Sequence, residues 1–469
     1  MPSLPLFNIP RLVIAGTQSG VGKTTIVTGL LAALRQRGQR VQSYKIGPDY
    51  IDPGYHTLAS GRPSHNLDTW LVPPEKLAAI FARTAAGADI AVIEGVMGLF
   101  DGGRGGISST AAIAKALAAP VVLVLDARSA GESVAATALG FKTYDSDLNL
   151  AGFIVNRLGS DSHQAMVAEA LGRLGLPVFG HLRRSGALGL SERHLGLTPV
   201  AEENGAFAAV QAMSRQVTRE VAVDEILRLA ATAPPLDVPA AAAVTAAPKV
   251  RIGVARDEAF SFYYGDSLNV LADHGATIVP FSPLRDSDLP DVDGLILGGG
   301  FPEMFLGELA ANTRLMVAIR GAVARGMPVY AECGGLMYLT EAITDFSGQA
   351  YPMVGLVPAV CHMADKLQTV GYVEATALGD NVLCCSGETL RGHEFHFSRL
   401  ELTCPADDFD WAFQFKKMRT GGIYLGGFAA GSLLASYLHM HFAGNEQAAA
   451  RFIGRCASFR AAGGMNNER

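Results

Sequence analysis

The chain has 469 residues, 49% of them apolar, and its 38 basic and 44 acidic side chains give a net charge of −6 with His neutral. That length exceeds one ordinary domain of roughly 150 residues and fills a core, which excludes disorder, a collagen-like fibre and a small disulfide scaffold. With only 17% charged residues and a mild acidic excess, there is no basic footprint for nucleic acid, so the expected partners are small molecules or protein.

The N-terminal MPSLPLFNIPRL has no basic region ahead of an apolar run, so no signal peptide is expected. Residues 11–16 (RLVIAG), 89–95 (DIAVIEG), 119–126 (APVVLVLD) and 150–156 (LAGFIVN) are short apolar runs, and stretches of helical character such as TTIVTGLLAALRQRG and AAIAKALAA lie between them. That alternation predicts parallel strands with crossover helices. Residues 233–249, rich in Ala and Pro and almost uncharged, read as an extended linker. It separates an N-terminal domain at 1–232 from a C-terminal domain at 250–469. The second half repeats the theme with VRIGVAR, DGLILGGG and MPVYAEC as strands, so both domains are expected to be α/β. Residues 420–445 carry no charge, but two His and many Gly favour buried strands and turns over a membrane span. The cysteines, Cys333, Cys361, Cys384, Cys385, Cys404 and Cys456, form no CxxC pair, which suits free thiols in a reducing, cytoplasmic compartment.

GTQSGVGKTT, from Gly16 to Thr25, follows a strand and opens a helix. There, backbone N–H groups and the helix dipole hold phosphates, with Lys23 on the terminal phosphates and Thr24 on a magnesium ion. It departs from GxxxxGKT because Thr17 stands at the first glycine position. Two further loops, YKIGPDYIDPGYH at 44–56 with Asp49 and Asp52, and EGVMGLFDGG from Glu94 with Asp101, follow the next strands. Loops at the carboxyl ends of neighbouring parallel strands converge on one crevice. Three acidic loops beside a phosphate cradle suit magnesium on some carboxylates and a substrate on others.

In the second half, LGGGFPE at 297–303 and MPVYAECGGLMYL at 327–339 place Cys333 at a sharp strand-to-helix turn, beside Glu332 and flanked by Gly334 and Gly335. Such a turn exposes the sulfur and favours the thiolate that attacks a carbonyl. Backbone N–H groups of Gly299, Gly300 and Gly334 are candidates for an oxyanion site. The base is sought among His393 and His396 of RGHEFHFS and His439 and His441 of SYLHMHF. Strand alternation would put His439 and His441 on one face, so spacing does not choose between them.

The blocks GTQSGVGKTT, KIGPDYIDPGYH, EGVMGLFDG and ERHLGL at 192–197 resemble the cobyrinic acid a,c-diamide synthases, whose first domain is similar to dethiobiotin synthetase. The resemblance spans nearly the whole chain. It implies that Gly20, Gly22, Lys23, Thr24 and Thr25 bind ATP, that Thr24, Asp49 and Glu94 serve Mg²⁺, and that Tyr50, Ile51, Asp52 and Asp101 lie by the carboxylates of a corrinoid polycarboxylic acid. Asn156 is similar to the adenine-contacting Asn of dethiobiotin synthetase. The C-terminal domain resembles class I, triad-type glutamine amidotransferases, which implies Cys333 as nucleophile on L-glutamine and His439 as its base. Ordinary triad enzymes carry a Glu two residues beyond that His, where this chain has His441. A Cys–His dyad is therefore expected, with its imidazole oriented by a group the sequence leaves unnamed. Glu394 and His396 border either the glutamine site or a contact with the first domain, or are structural.

The implied reaction is ATP- and glutamine-dependent amidation of the a and c acetate side chains, with ammonia passing between sites through a channel or docked interface. Nickel-sirohydrochlorin as acceptor is the nearest rival. A partitioning-type ATPase switch is a distant one, since those proteins carry a Lys where this chain has Gln18 and lack the Cys elbow. A homodimer is expected.

Overall fold

The computed structural model describes residues 6–184, 192–193, 196–197, 200, 205–238 and 249–464. The chain divides into two compact units, Met1–Ala241 and Ala242–Arg469.

The first unit is built on seven strands: β1 (Arg11–Gly16), β2 (Val41–Ile46), β3 (His65–Leu67), β4 (Ile90–Glu94), β5 (Val121–Asp126), β6 (Leu150–Leu158) and β7 (Val178–Arg183). They form one sheet in the order β3-β2-β4-β1-β5-β6-β7, every pair parallel. β1 has no exposed residue because both sheet faces are covered, as parallel sheets require. Leu12 and Ile14 enter one apolar cluster and Val13 and Ala15 the opposite one. The chain leaves β1 toward β2 on one side and later places β5 on the other. The order therefore reverses at β1, and a ligand crevice is expected at its carboxyl end.

Helix α1 (Lys23–Gln36) starts there and packs on α3 (Ala206–Glu220), while α2 (Asp52–Ser60) follows β2. The α1–α3 contact depends on Gly29, where a Cβ would lie 2.7 Å from the Met213 carbonyl oxygen and 2.6 Å from Val217 Cγ2. Gly29→Val should push the helices apart and lower stability by about 1–3 kcal/mol, read as a drop of several degrees in Tm by calorimetry. An unchanged Tm would contradict that packing.

One departure from the sequence expectations appears here. Within the stretch read as linker, Leu236–Asp237 pair antiparallel with Leu6–Phe7, Leu236 is buried, and the Pro234 carbonyl accepts from Arg11 Nη2 at 2.5 Å. The end of the first unit is thus tied down by Arg11, a buried strand cation whose other donors reach Leu117 O and Ile9 O and whose pKa burial lowers to about 10. Residues 239–248 lie outside the described residues. Of the ERHLGL block, Glu192–Arg193 and Gly196–Leu197 form a small antiparallel pair, and His194 and Leu195 lie outside the described residues.

The second unit has a ten-stranded sheet made of β8 (Val250–Ala255), β9 (Ala276–Phe281), β10 (Gly294–Leu297), β11 (Val329–Glu332), β12 (Thr369–Ala377), β13 (Thr389–His396), β14 (Trp411–Lys417), β15 (Ile423–Ala430), β16 (Leu433–Ser436) and β17 (His439–Met440), in the order β9-β8-β10-β11-β16-β15-β14-β12-β13-β17. The β9 to β16 half is parallel and the remainder antiparallel. The uncharged 420–445 segment becomes β15, β16 and β17, and among the described residues no helix is long and apolar enough to cross a membrane. Helix α4 (Gly265–Asp273) follows β8, and the short α5 (Gly334–Leu339) follows β11. All six cysteines are free.

Candidate active sites

At the end of β1 the chain makes two left-handed turns, Gly20 at φ 75° and Gly22 at φ 96°, before α1 begins. Glycine is required at 22, because a Cβ there would lie 2.3 Å from Asn156 Nδ2. That amide donates to the Val21 carbonyl at 2.9 Å. The next residue, Arg157, holds Asp126 at 2.5 Å and the Gly20 carbonyl at 2.7 Å. Asn156 thus fastens the 20–22 turn to β6. Lys23 is buried, with Nζ donating to Met97 O at 2.6 Å and Gln18 O at 3.1 Å. Burial lowers its pKa to about 8 against the opposing pull of Glu94. Thr25 is half-buried one position on.

Thr24 Oγ1 donates to Glu94 Oε1 at 2.8 Å and meets Asp52 Oδ2 at 3.2 Å. The register pairs Lys45 with Glu94 across β2 and β4, so both side chains rise on one face. Lys45 Nζ contacts Asp52 at 2.5 Å and Glu94 at 2.7 Å, with Asp49 at 3.9 Å. His56 of α2 bonds the other Glu94 oxygen at 2.7 Å. Burial opposes ionisation of both Lys45 and Glu94, but their mutual attraction, with Asp52 and His56, holds the lysine pKa above and the carboxyl well below its ordinary value. Asp49 is placed differently from the expectation. Its Oδ1 accepts from the backbone N–H of Ile51 and Asp52 at 2.9 and 3.1 Å, and burial with the neighbouring Asp52 charge raises its pKa to about 7. The carboxylates beside Thr24 are those of Asp52 and Glu94, not Asp49.

Tyr50 and Ile51 are half-buried on the same loop, and Ile51 packs on the apolar cluster under α1. Asp101 is exposed and accepts from Gly98 N–H at 2.9 Å. Among the described residues no group of three or more His, Cys, Asp or Glu could hold an ion. Thr24, Asp52 and Glu94 nevertheless form an oxygen set suited to a magnesium ion that brings phosphate oxygens and water as its other ligands. Lys45 and His56 were quoted within a motif, yet the sequence argument did not single them out. The signal that could have found them is strand register, which places Lys45 opposite Glu94.

In the second unit Cys333 sits between β11 and α5 at φ 46° and ψ −100°, a strained backbone costing about 1–3 kcal/mol. It is held by Cys333 N–H to Ser436 O at 2.7 Å and Met337 N–H to Cys333 O at 3.0 Å. Gly300, at φ 157°, could not carry a Cβ, which would lie 2.0 Å from Ala259 O. Its amide nitrogen is 3.1 Å from where a Gly334 Cβ would be, so these two backbones converge at the turn that carries Cys333. Gly299 instead gives its carbonyl to Phe262 N–H and backs onto the imidazole of His439, where a Cβ would lie 2.6 Å from Cε1.

The candidate imidazoles differ in their surroundings, and His439 is the one set against Cys333. Burial depresses the His439 pKa, yet its contacts with the Cys333 sulfur and the Glu332 carboxylate raise it to about 10. Glu332 Oε2 lies 3.5 Å from His439 Nδ1. His441 falls just beyond β17, stacks on Tyr264 at 5.2 Å and accepts from Ala443 N–H. His393 stacks on His439 at 5.0 Å and bonds the Tyr264 hydroxyl at 2.7 Å. His396 lies flat on Tyr437 and bonds Ser398 O, while Glu394 accepts from the Tyr424 hydroxyl.

Two family models match the chain: a CobQ/CobB/MinD/ParA nucleotide binding domain over residues 12–197 and a CobB/CobQ-like glutamine amidotransferase domain over residues 251–447. The cobyrinate a,c-diamide synthase of Dehalococcoides mccartyi strain CBDB1 is 45% identical, covering 95% of this chain and 98% of its own length. That of Leptospira interrogans strain Fiocruz L1-130 is 42% identical over 96% and 98%. The hydrogenobyrinate a,c-diamide synthase of Streptomyces coelicolor is 42% identical over 96% and 98%.

Proposed function

This chain belongs to the cobyrinate and hydrogenobyrinate a,c-diamide synthase family, a family of glutamine-dependent amide-forming ligases of cobalamin synthesis, and from that premise we propose how its residues divide the work. The first unit takes ATP with magnesium and transfers the γ-phosphoryl group to an acetate carboxylate of cobyrinic or hydrogenobyrinic acid, giving ADP and an acyl phosphate. The second unit attacks the side-chain carbonyl of glutamine with the Cys333 sulfur, releasing ammonia, and water then hydrolyses the thioester to glutamate. Ammonia displaces inorganic phosphate from the acyl phosphate and leaves an amide, and the cycle repeats on the second acetate.

Lys23 contacts the transferring phosphate in this reading, because its present partners are two carbonyls that phosphate oxygens replace. Thr24, Asp52 and Glu94 would hold a magnesium ion, which would neutralise phosphate charge when bound. Lys45 balances the carboxylates, and His56 orients Glu94. Asp101, with Tyr50 and Ile51, faces the corrinoid carboxylates, while Asp52 is given to the magnesium side of the loop. Gly300 and Gly334 N–H groups stabilise the oxyanion at the thiol site. The observation that carries this reading is Cys333 in its positive-φ elbow against His439, on a chain that also brings Thr24, Asp52 and Glu94 together.

Incubation with glutamine, ATP and magnesium should convert two carboxyls of one such macrocycle to amides, read as two successive mass steps. Asp101→Ala should slow that conversion at least about tenfold while leaving glutamine hydrolysis measurable; equal loss of both would return Asp101 to a structural role. The free cysteines support a reducing, cytoplasmic setting, and the homodimer is tested by light scattering, where twice the chain mass is expected and a single chain mass would overturn it.

A further inference from the structure

The base of a thiol amidotransferase needs a partner on its second ring nitrogen, and the position two residues past His439 offers only His441. We propose that Glu332, the residue immediately before the nucleophile, is the positioning acid of this site, so that the strand delivering the sulfur also delivers the group that orients the imidazole. The inference rests on the reading of Cys333 and His439 given above.

The route runs through strand register. β11 and β16 are parallel neighbours with Glu332 opposite Ser436, so the chain three residues past Ser436 lies over the end of β11. That brings His439 Nδ1 to 3.5 Å from Glu332 Oε2 and leaves Nε2 for the sulfur. The carboxylate is buried, 8% exposed, as is the imidazole at 2%. Glu332 is also held on its other oxygen. Tyr330, two residues back and therefore on the same strand face, donates its hydroxyl to Oε1, and Met440 N–H approaches the same atom at 3.5 Å. A buried carboxylate tied at Oε1 and aimed at an imidazole with Oε2 has the arrangement by which an acid fixes the tautomer of a catalytic His.

The other neighbours of His439 are unsuited to that task. His393 covers its face, with rings 15° from parallel, and a stacked ring makes no in-plane hydrogen bond. Glu394 is committed to Tyr424, and His441 to Ala443 N–H. The titratable groups facing His439 are thus Cys333 and Glu332 from the end of β11 and His393, Glu394 and His396 from β13. Beyond them, Tyr264 bonds His393 and stacks on His441. Burial keeps His393 neutral and lowers the pKa of His396 to about 4, while it raises that of Glu394. The reacting form is the ion pair in which His439 has taken the Cys333 proton, so the alkaline limb of glutamine hydrolysis reports loss of the imidazolium proton of His439.

The carboxylate favours the imidazolium form, so Glu332→Gln should let His439 lose its proton at lower pH. In the full-length enzyme the alkaline limb of kcat/KM for glutamine should move down by at least about one pH unit and kcat fall at least about tenfold. Ammonium-driven amidation by the same variant should stay within about twofold, which reports an intact fold. Tyr330→Phe, which keeps the charge, should cost glutaminase rate without lowering the limb, and it supplies the test if Glu332→Gln does not fold. A Glu332→Gln profile merely scaled down at every pH, an unchanged profile, or a Tyr330→Phe limb lowered as in the amide variant would overturn the assignment. Glutamine hydrolysis surviving in Cys333→Ala would instead overturn the reading beneath it.

Discussion

Cys333→Ala should abolish glutamine-dependent amidation, by at least about a thousandfold in kcat, while amidation driven by added ammonium salt proceeds at close to the parent rate. The size follows from the chemistry: without the sulfur there is no thioester, and neighbouring groups that act with a nucleophile supply little alone. Retention of the ammonium reaction follows from the division of the chain into two compact units, since the Thr24, Asp52 and Glu94 cluster belongs wholly to the first. Alanine also relieves none of the strain at φ 46°, so the elbow keeps its shape only through the Ser436 and Met337 backbone bonds. Assaying both nitrogen sources on one preparation checks this. Loss of the ammonium reaction with an unchanged melting curve would contradict it.

Glu94→Gln should have the opposite signature: amidation lost from either nitrogen source, by about a hundredfold or more, with glutamine hydrolysis intact. Glu94 is fully buried and serves three partners, Thr24 and Lys45 through one oxygen and His56 through the other. Removing its charge leaves Lys45 buried with fewer partners, a change that typically costs about 3–5 kcal/mol. Asp52 at 2.5 Å offsets part of that. The variant should therefore melt lower as well as fail in catalysis, and nucleotide titration by calorimetry should show weakened ATP binding only when magnesium is present. Glu94→Gln amidating at the parent rate would remove the acid cluster from the reaction.

The parts legible in the sequence were those in which local chemistry and local backbone coincide. GVGKTT opens a helix after an apolar run, and the left-handed Gly20 and Gly22 are where that motif needs them. AECGG places a thiol between a strand and a helix, and Cys333 takes up the strained elbow that the flanking glycines imply. What escaped depends on register between distant segments. Lys45 is an ordinary strand lysine until β2 pairs with β4 and sets it against Glu94. Glu332 is one flanking acid among many until β16 carries His439 over it. Asp49 and Asp52 are near equivalents on paper, but the start of α2 consumes one Asp49 oxygen in backbone hydrogen bonds and presents Asp52 to Thr24. Likewise, strand alternation over His439 and His441 fails because β17 ends at Met440.

In the proposed reaction one polypeptide activates a carboxylate as an acyl phosphate and then replaces that phosphate with nitrogen drawn from glutamine. The most direct measurement supplies corrinoid carboxylates labelled with ¹⁸O together with amide-¹⁵N glutamine, ATP and magnesium, and follows both products by mass spectrometry. Each amide formed should carry ¹⁵N and should send one ¹⁸O into inorganic phosphate. Amides that form while the released phosphate stays free of ¹⁸O would contradict it.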